Sequence, residues 1–322
     1  VNISEDHLGL DGVNTLQDLA FVKSLVIEAV KPEGYAVLNA DDSMTEQIAA
    51  KVECNLILFS QNRNNNTVKS HIDQGGTAVV TEKGALCLYQ DNKRKTLIKV
   101  SEIPITFAGK ASCNIENSLA AAAGLIALGV PHHIIKSGLM SFMPDSVANA
   151  GRLNLFDMGN FQVLLDYGHN LSGYRSVLQF ASQLDAERLV GVIGIPGDRI
   201  DKSIYEVGQI SGQAFSKLYI KEDQDLRGRA SGVVASILYH GAINGGARKE
   251  NIEIILSEAD AMEAAIKNAA AGDLIIMFYE SFDAVFELLQ DYMNQQVQPI
   301  SMFPAINTDI PVSPHLPVEY IQ

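Results

Sequence analysis

Phe161-Gln-Val-Leu-Leu-Asp166-Tyr-Gly-His-Asn170 is an apolar run that ends abruptly in polar residues. Its apolar half reads as a buried strand. That strand delivers Asp166, His169 and Asn170 to one end of a sheet, where α/β proteins bind their ligands. The preceding run, Arg152-Leu-Asn-Leu-Phe156, is joined to it through Met158-Gly-Asn160, a hairpin signal. Downstream, strands and helices alternate. Helices are predicted near 173–184, 201–215, 229–241, 258–271 and 282–295, and strands over 189–194, 218–220, 252–256 and 274–278. This alternation predicts a doubly wound α/β domain.

Gly151 marks a change of pattern. Before it, Leu16, Leu19, Ala20, Val22, Val26 and Ile27 recur at helical spacing. Tyr35-Ala-Val-Leu38 and Asn55-Leu-Ile-Leu-Phe59 read as buried strands, and Asn39-Ala-Asp-Asp42 as a polar turn opening a helix. Four short runs, 77–81, 85–89, 96–100 and Ile103-Pro-Ile-Thr-Phe107, suggest a β-meander at the sheet edge. Helices are expected at about 114–129 and 131–141, and residues 297–322, with five prolines, as an extended tail.

The 322 residues suffice for two domains with sizeable cores. No apolar run reaches the roughly 20 residues of a membrane span. A formal net charge of −14 argues against non-specific nucleic-acid binding. Cys54, Cys87 and Cys113 show no metal-type spacing and read as reduced thiols of a cytoplasmic protein.

Several clusters could carry chemistry. Ser4, Glu5, Asp6 and His7 place a hydroxyl, two carboxylates and an imidazole in four residues. They suit a hard divalent cation near phosphates, or a helix N-cap with His7 solvated. Asn114 and Asn117 stand three apart and share a helix face. An amide there can read a nucleobase edge, or Asn114 can cap an Ala-rich packing helix. Arg152 offers a planar donor fork for phosphate, or a surface ion pair. Asp166 and His169 could also form a metal pair. Gly191-Val-Ile-Gly194-Ile-Pro-Gly197-Asp-Arg199 is a strand-to-helix turn without the dinucleotide fingerprint spacing. The loop Lys221-Glu-Asp-Gln-Asp-Leu-Arg227-Gly-Arg229 mixes acids with arginines, and could hold a zwitterionic or peptide substrate or be a solvated loop.

In combination these motifs resemble those of the Mur ligase family, and most of all its cyanophycin-synthetase branch. Residues 166–170 are similar to that family's Asp-Tyr-Ala-His-Asn-Pro, with Gly168 for Ala and Leu171 for Pro. Gly151-Arg-Leu-Asn154 resembles Pro-Gly-Arg-Met, with Ala150 for the Pro. Residues 221–229 nearly match Lys-Glu-Asp-Asp-Asp-x-Arg-Gly-Arg, and the Ser4–Gly9 run matches the start of the central-domain pattern. The resemblance implies a partial Mur ligase central domain over 1–149, a doubly wound, Rossmann-like Mur ligase C-terminal domain over 150–296, and the tail over 297–322. It implies an ATP-dependent amide ligase that joins arginine to an aspartate side-chain carboxylate through an acyl phosphate. ATP and Mg²⁺ would be required, an aspartate-containing polymer would be the partner, and a homo-oligomer is expected.

The resemblance also implies roles. His7 and a carbamylated Lys23 would serve the metal, although Lys23 on its own reads as a solvated helix residue. Lys23, His169 and Asn170 would serve the chemistry. Asn114, Asn117, Arg152 and Asp166 would hold ATP, with Asn117 on the adenine. Asp198, Arg199, Asp223, Arg227 and Arg229 would meet the acceptor substrate. One family element is missing: no G-x-x-x-x-G-K-[ST] phosphate loop occurs. The nearest string, Gly109-Lys110, has Pro104 where the first glycine belongs, and proline lacks the amide that a phosphate cradle needs. The chain is therefore expected to be a C-terminal part, inactive alone. Two other readings stand beside it: a peptidoglycan or folyl-polyglutamate ligase, and a non-catalytic module that binds polymer or oligomerises.

Overall fold

Thr15 and Asp18 start the first helix by capping each other. Thr15 Oγ1 accepts from Asp18 N, and the Asp18 carboxylate accepts from Thr15 N at 2.9 Å. A computed structural model describes residues 2–4 and 11–296. Glu5, Asp6, His7 and the tail therefore lie outside the described residues. The elements run α1 (Leu16–Glu28), β1 (Tyr35–Asn39), α2 (Ser43–Ala49), β2 (Asn55–Ser60), α3 (Asn66–Asp73), β3 (Thr77–Glu82), β4 (Ala85–Gln90), β5 (Lys93–Lys99), α4 (Ser112–Ala127) and α5 (His132–Ser141). They continue with β6 (Asn154–Asp157), β7 (Gln162–Asp166), α6 (Leu171–Ala181), β8 (Arg188–Ile193), α7 (Asp201–Ala214), β9 (Lys217–Ile220), α8 (Val233–Asn244), β10 (Ile252–Ile254), α9 (Glu258–Lys267), β11 (Asp273–Phe278) and α10 (Phe282–Gln296).

Two sheets result. The first has the order β1-β2-β3-β4-β5, parallel from β1 to β3 and antiparallel from β3 to β5. Its strands alternate between two apolar faces, as the period of two requires. Leu58 and Val80 pack with residues of α1, α2 and α3, whereas Ile57, Phe59 and Val79 pack with Leu119 of α4 and Ile135 of α5. The second sheet has the order β10-β9-β8-β11-β7-β6 and is parallel except for the β6–β7 hairpin. Helices α6, α7 and α8 cover one face, and α9 and α10 the other. This is a mixed α/β architecture with a doubly wound second sheet.

Two local readings need correction. Ile103–Phe107 is not a strand: Pro104 has no amide to give a ladder, and residues 100–109 coil as 3₁₀ turns. The helix α3 escapes the sequence reading because it is short and follows an Asn-rich stretch. Asn65 starts it by accepting from Thr67 N and Val68 N.

The segment before α4 links the two layers. Phe107 (φ 50°, ψ 53°) and Ala108 (φ 56°, ψ 26°) sit in the left-handed region, which disfavours side chains bearing a Cβ. The compensation is packing: the Phe107 ring lies 4.7 Å from that of Phe180 in α6, and Ala111 is buried in the same core as Leu153 and Leu164. Phe107→Ala should therefore destabilise the chain by roughly 2–3 kcal/mol. Phe107→Gly should be the more stable of the two by about 1 kcal/mol, because glycine tolerates φ > 0. Urea unfolding followed by circular dichroism checks the order. An alanine variant as stable as the glycine variant contradicts the account of strain.

Candidate active site

Asp166 ends β7 and is 7% exposed. Its carboxylate accepts from Leu153 N at 3.0 Å and from Gly168 N. Burial pushes its carboxyl up to about 6, and the Leu153 N–H and the nearby Arg152 guanidinium offset only part of that rise. Across from it, Asn114 Nδ2 donates to Ile105 O at 2.8 Å, which locks the start of α4 to the preceding turn. Asn117, one turn on, is exposed and donates to Asn114 Oδ1 at 3.2 Å. Arg152 lies with its guanidinium carbon 4.9 Å from the centre of the Tyr167 ring. Tyr279 donates to Gly151 O at 2.8 Å, and burial pushes its hydroxyl up to about 12.

Asn114, Asn117, Arg152 and Asp166 share the wall of one cavity of about 440 Å³ between α4, α6 and the end of β7. Ile105, Phe142 and Val177 supply apolar wall. An amide, a guanidinium and a carboxylate around an apolar slot suit a flat heterocycle carrying hydroxyl and anionic groups. Cys113 also lines the cavity, with its thiol pushed by burial up to about 11.

A second cavity, of about 560 Å³, opens at the carboxyl ends of β9, β10 and β11. Glu222, Asp223, Glu258 and Glu280 line it. Glu222 accepts from Gly232 N and Ala235 N at the start of α8. Glu258 accepts from Glu280 N at 2.6 Å and Ser281 N at 3.0 Å. Glu280 in turn accepts from Gln224 N at 2.6 Å. Three strand-end loops are thus stitched together by carboxylates receiving backbone N–H groups.

The remaining candidates are placed differently. Of the 221–229 loop, only Asp223 lines this cavity among the three residues assigned to substrate. Arg227 is on the outside, paired with Asp225 at 2.8 Å. Arg229 donates to Gly197 O and Arg199 O and pairs with Asp201, so it fastens one motif loop to the other. Asp198 pairs with the buried Arg199 at 3.0 Å and lines neither cavity. Asn170 caps α6 by accepting from Gly173 N at 2.8 Å. His169 is half-buried against Tyr167, its Nδ1 3.1 Å from Tyr167 O. Lys23 is exposed on α1, and His7 lies outside the described residues. Among the described residues no three His, Cys, Asp or Glu side chains gather as a metal site. Glu258 and Glu280 went unread in the sequence. Each follows a predicted strand closely, and the strand-end rule applied to Asp166 is the signal that marks them.

Known proteins show the same architecture. Residues 1–125 match the Mur ligase middle domain, and residues 151–278 match the Mur ligase glutamate ligase domain. The chain is built from Mur ligase domains. It is 38% identical to the cyanophycin synthetase of Geminocystis herdmanii over 91% of its own length, and 37% identical to that of Synechocystis over 90%. It covers 33% of each, and so spans about one third of the curated relatives it matches. Among solved structures, E. coli FolC in complex with DHPP and ADP aligns with a TM-score of 0.62 at 16% identity, over 92% of this chain and 61% of that one. A pseudomurein peptide ligase type C from Methanothermus fervidus aligns with a TM-score of 0.62 at 17% identity, over 90% and 62%. Among the described residues no helix is long and apolar enough to cross a membrane.

The raised carboxyl of Asp166 sets a pH dependence. Its folded value, about 6, lies above the ordinary 3.8. Below about pH 4 both folded and unfolded forms are protonated, and the group is neutral to stability. As pH rises from about 4 to about 6, ionisation is easier in the unfolded chain, so stability falls, and above that the loss is constant. The difference is on the order of 3 kcal/mol. Asp166→Asn removes it but also loses one acceptor. The variant should be more stable than the native chain by roughly 1–2 kcal/mol at pH 8, with the advantage gone near pH 4. Denaturant titrations at both values check this. An advantage unchanged with pH contradicts the burial of an ionisable Asp166.

Proposed function

We propose that this chain is the nucleotide- and acceptor-binding part of a ligase that joins arginine to the side-chain carboxylate of aspartate in a polymer. The observation that carries the reading is the cavity shared by Asn114, Asn117, Arg152 and Asp166, in a chain similar to cyanophycin synthetases over about nine tenths of its length. In this reading Asn117 meets the adenine edge, Asp166 meets a ribose hydroxyl and Arg152 meets phosphate oxygens. ATP transfers its γ-phosphoryl group to the aspartate carboxylate. The arginine amine then attacks the acyl carbon, a C–N bond forms, and the C–O bond to phosphate breaks.

Arginine enters the second cavity, whose carboxylates complement a cationic amino acid and whose place at the strand ends is where doubly wound sheets bind ligands. Mg²⁺, with His7 and Lys23 as its assigned residues, belongs to the same reading and would neutralise phosphate charge. Lys23 stands exposed on α1, and its bare ammonium would repel the ion unless carbamylated.

The tests are direct titrations. Residues 1–322 should bind ADP, and Asn117→Ala and Arg152→Ala should each weaken that binding about tenfold. L-arginine binding should be weakened by Asp223→Ala and left alone by Asn117→Ala. ATP hydrolysis by the chain alone should be weak or undetectable, because the sequence holds no phosphate loop. If Asp223→Ala weakens ADP binding and spares arginine, the two cavities have been assigned the wrong way round.

A further inference from the structure

Lys221 follows β9 directly and is 1% exposed. Its backbone N–H extends the sheet by donating to Ile193 O at 2.9 Å. Its ammonium lies 2.8 Å from Asp223 Oδ1 and 2.7 Å from Glu258 Oε2. A lysine so deeply buried is unstable unless paired, and here it is paired twice. Burial alone would lower its affinity for a proton, but the two carboxylates outweigh burial and hold it above the ordinary lysine value.

The surrounding chain is shaped to admit this side chain. Its stem crosses Gly194, where an added Cβ would collide with Lys221 Cε and Cδ. Gly197 makes the same kind of opening three residues on, where a Cβ would meet Leu226 O. The glycines of the 191–199 turn thus let it lie flat against the 221–229 loop. Tyr174 Oη donates to Gly194 O at 2.7 Å and fixes the turn from the other side. Tyr174 is the next titratable group there, and burial keeps its hydroxyl well above the usual range.

Lys221 does not itself line the acidic cavity, but both of its partners do. Glu258 also ties down the loop after β11, through Glu280 N and Ser281 N. Without the ammonium, two carboxylates would face each other in a confined space, and they would separate or share a proton.

We infer that Lys221 is a positioning residue: from behind the cavity wall, its ammonium fixes the Asp223 and Glu258 carboxylates where an incoming cationic amino acid meets them. This rests on the reading of that cavity as the arginine site. The ammonium does not touch the substrate. It offsets the repulsion between the two carboxylates, holds Glu258 while its oxygens accept from Glu280 N and Ser281 N, and leaves Asp223 Oδ2 for the ligand.

The test uses residues 1–322 with Lys221→Met and with the double variant Lys221→Met/Glu258→Gln. L-arginine is titrated as ligand, and L-citrulline serves as its uncharged isostere. The native chain should bind arginine and not citrulline. Lys221→Met should weaken arginine binding about tenfold or more, with the loss growing as pH falls from 8 to 5.5, because unsupported carboxylates take up protons more readily. The melting temperature of Lys221→Met should fall further at pH 8 than at pH 5, and the double variant should recover part of the pH 8 loss. A lysine that only fills space predicts equal loss at both pH values and no recovery. That result, or arginine binding unaffected by Lys221→Met, overturns the inference and leaves the arginine site standing. A native chain that binds citrulline as well as arginine, or does not bind arginine, overturns the site and the inference together.

Discussion

The cavity between the layers depends on how the segment 103–114 is seated against the second core. Phe107 packs in a tilted pair with Phe180, and Ala111 is buried with Leu153 and Leu164. The two left-handed residues turn the chain sharply into α4, and Asn114 closes that turn by donating to Ile105 O. With these contacts set, Asn117 shares a cavity wall with Asp166 and Arg152 at the end of β7. The packing of an aromatic ring thus decides the distance between groups that lie about 50 residues apart in sequence.

The two cavities differ in charge. The interdomain one combines the Arg152 guanidinium with the one carboxyl of Asp166, whose affinity for a proton burial raises. The one at the ends of β9, β10 and β11 is lined by four carboxylates, three of which accept backbone N–H bonds from neighbouring loops. Those bonds keep the acids in place, and Lys221 pairs with two of the four carboxylates from behind, offsetting one of their charges. In the proposed reading, an anionic nucleotide would be repelled from the four-carboxylate site.

Much of this was legible in the sequence because it is local. The apolar run ending at Asp166, the hairpin at Met158–Asn160 and the Asn114/Asn117 spacing each declare an element and a face within a few residues. The proline in Ile103–Phe107 declared itself too, but an apolar alternation around it read as a strand. What local pattern does not carry is strand order. The sheet pairs β10 with β9, which sets Glu258 beside Asp223, and places β11 between β8 and β7, which brings Glu280 to the same edge. Arg229 illustrates the converse. Its motif suggests a substrate contact, yet its guanidinium fills the gap between two loops, because Gly197 O and Arg199 O lie within reach. A motif specifies the residue types at a site but not which of them the backbone itself consumes.

The most direct measurement is a crystal structure of residues 1–322 grown with ADP. The account predicts adenosine density in the interdomain cavity, with the base against Asn117, the ribose within hydrogen-bond distance of Asp166, and the diphosphate toward Arg152. Nucleotide bound at another surface while that cavity holds only solvent would contradict it.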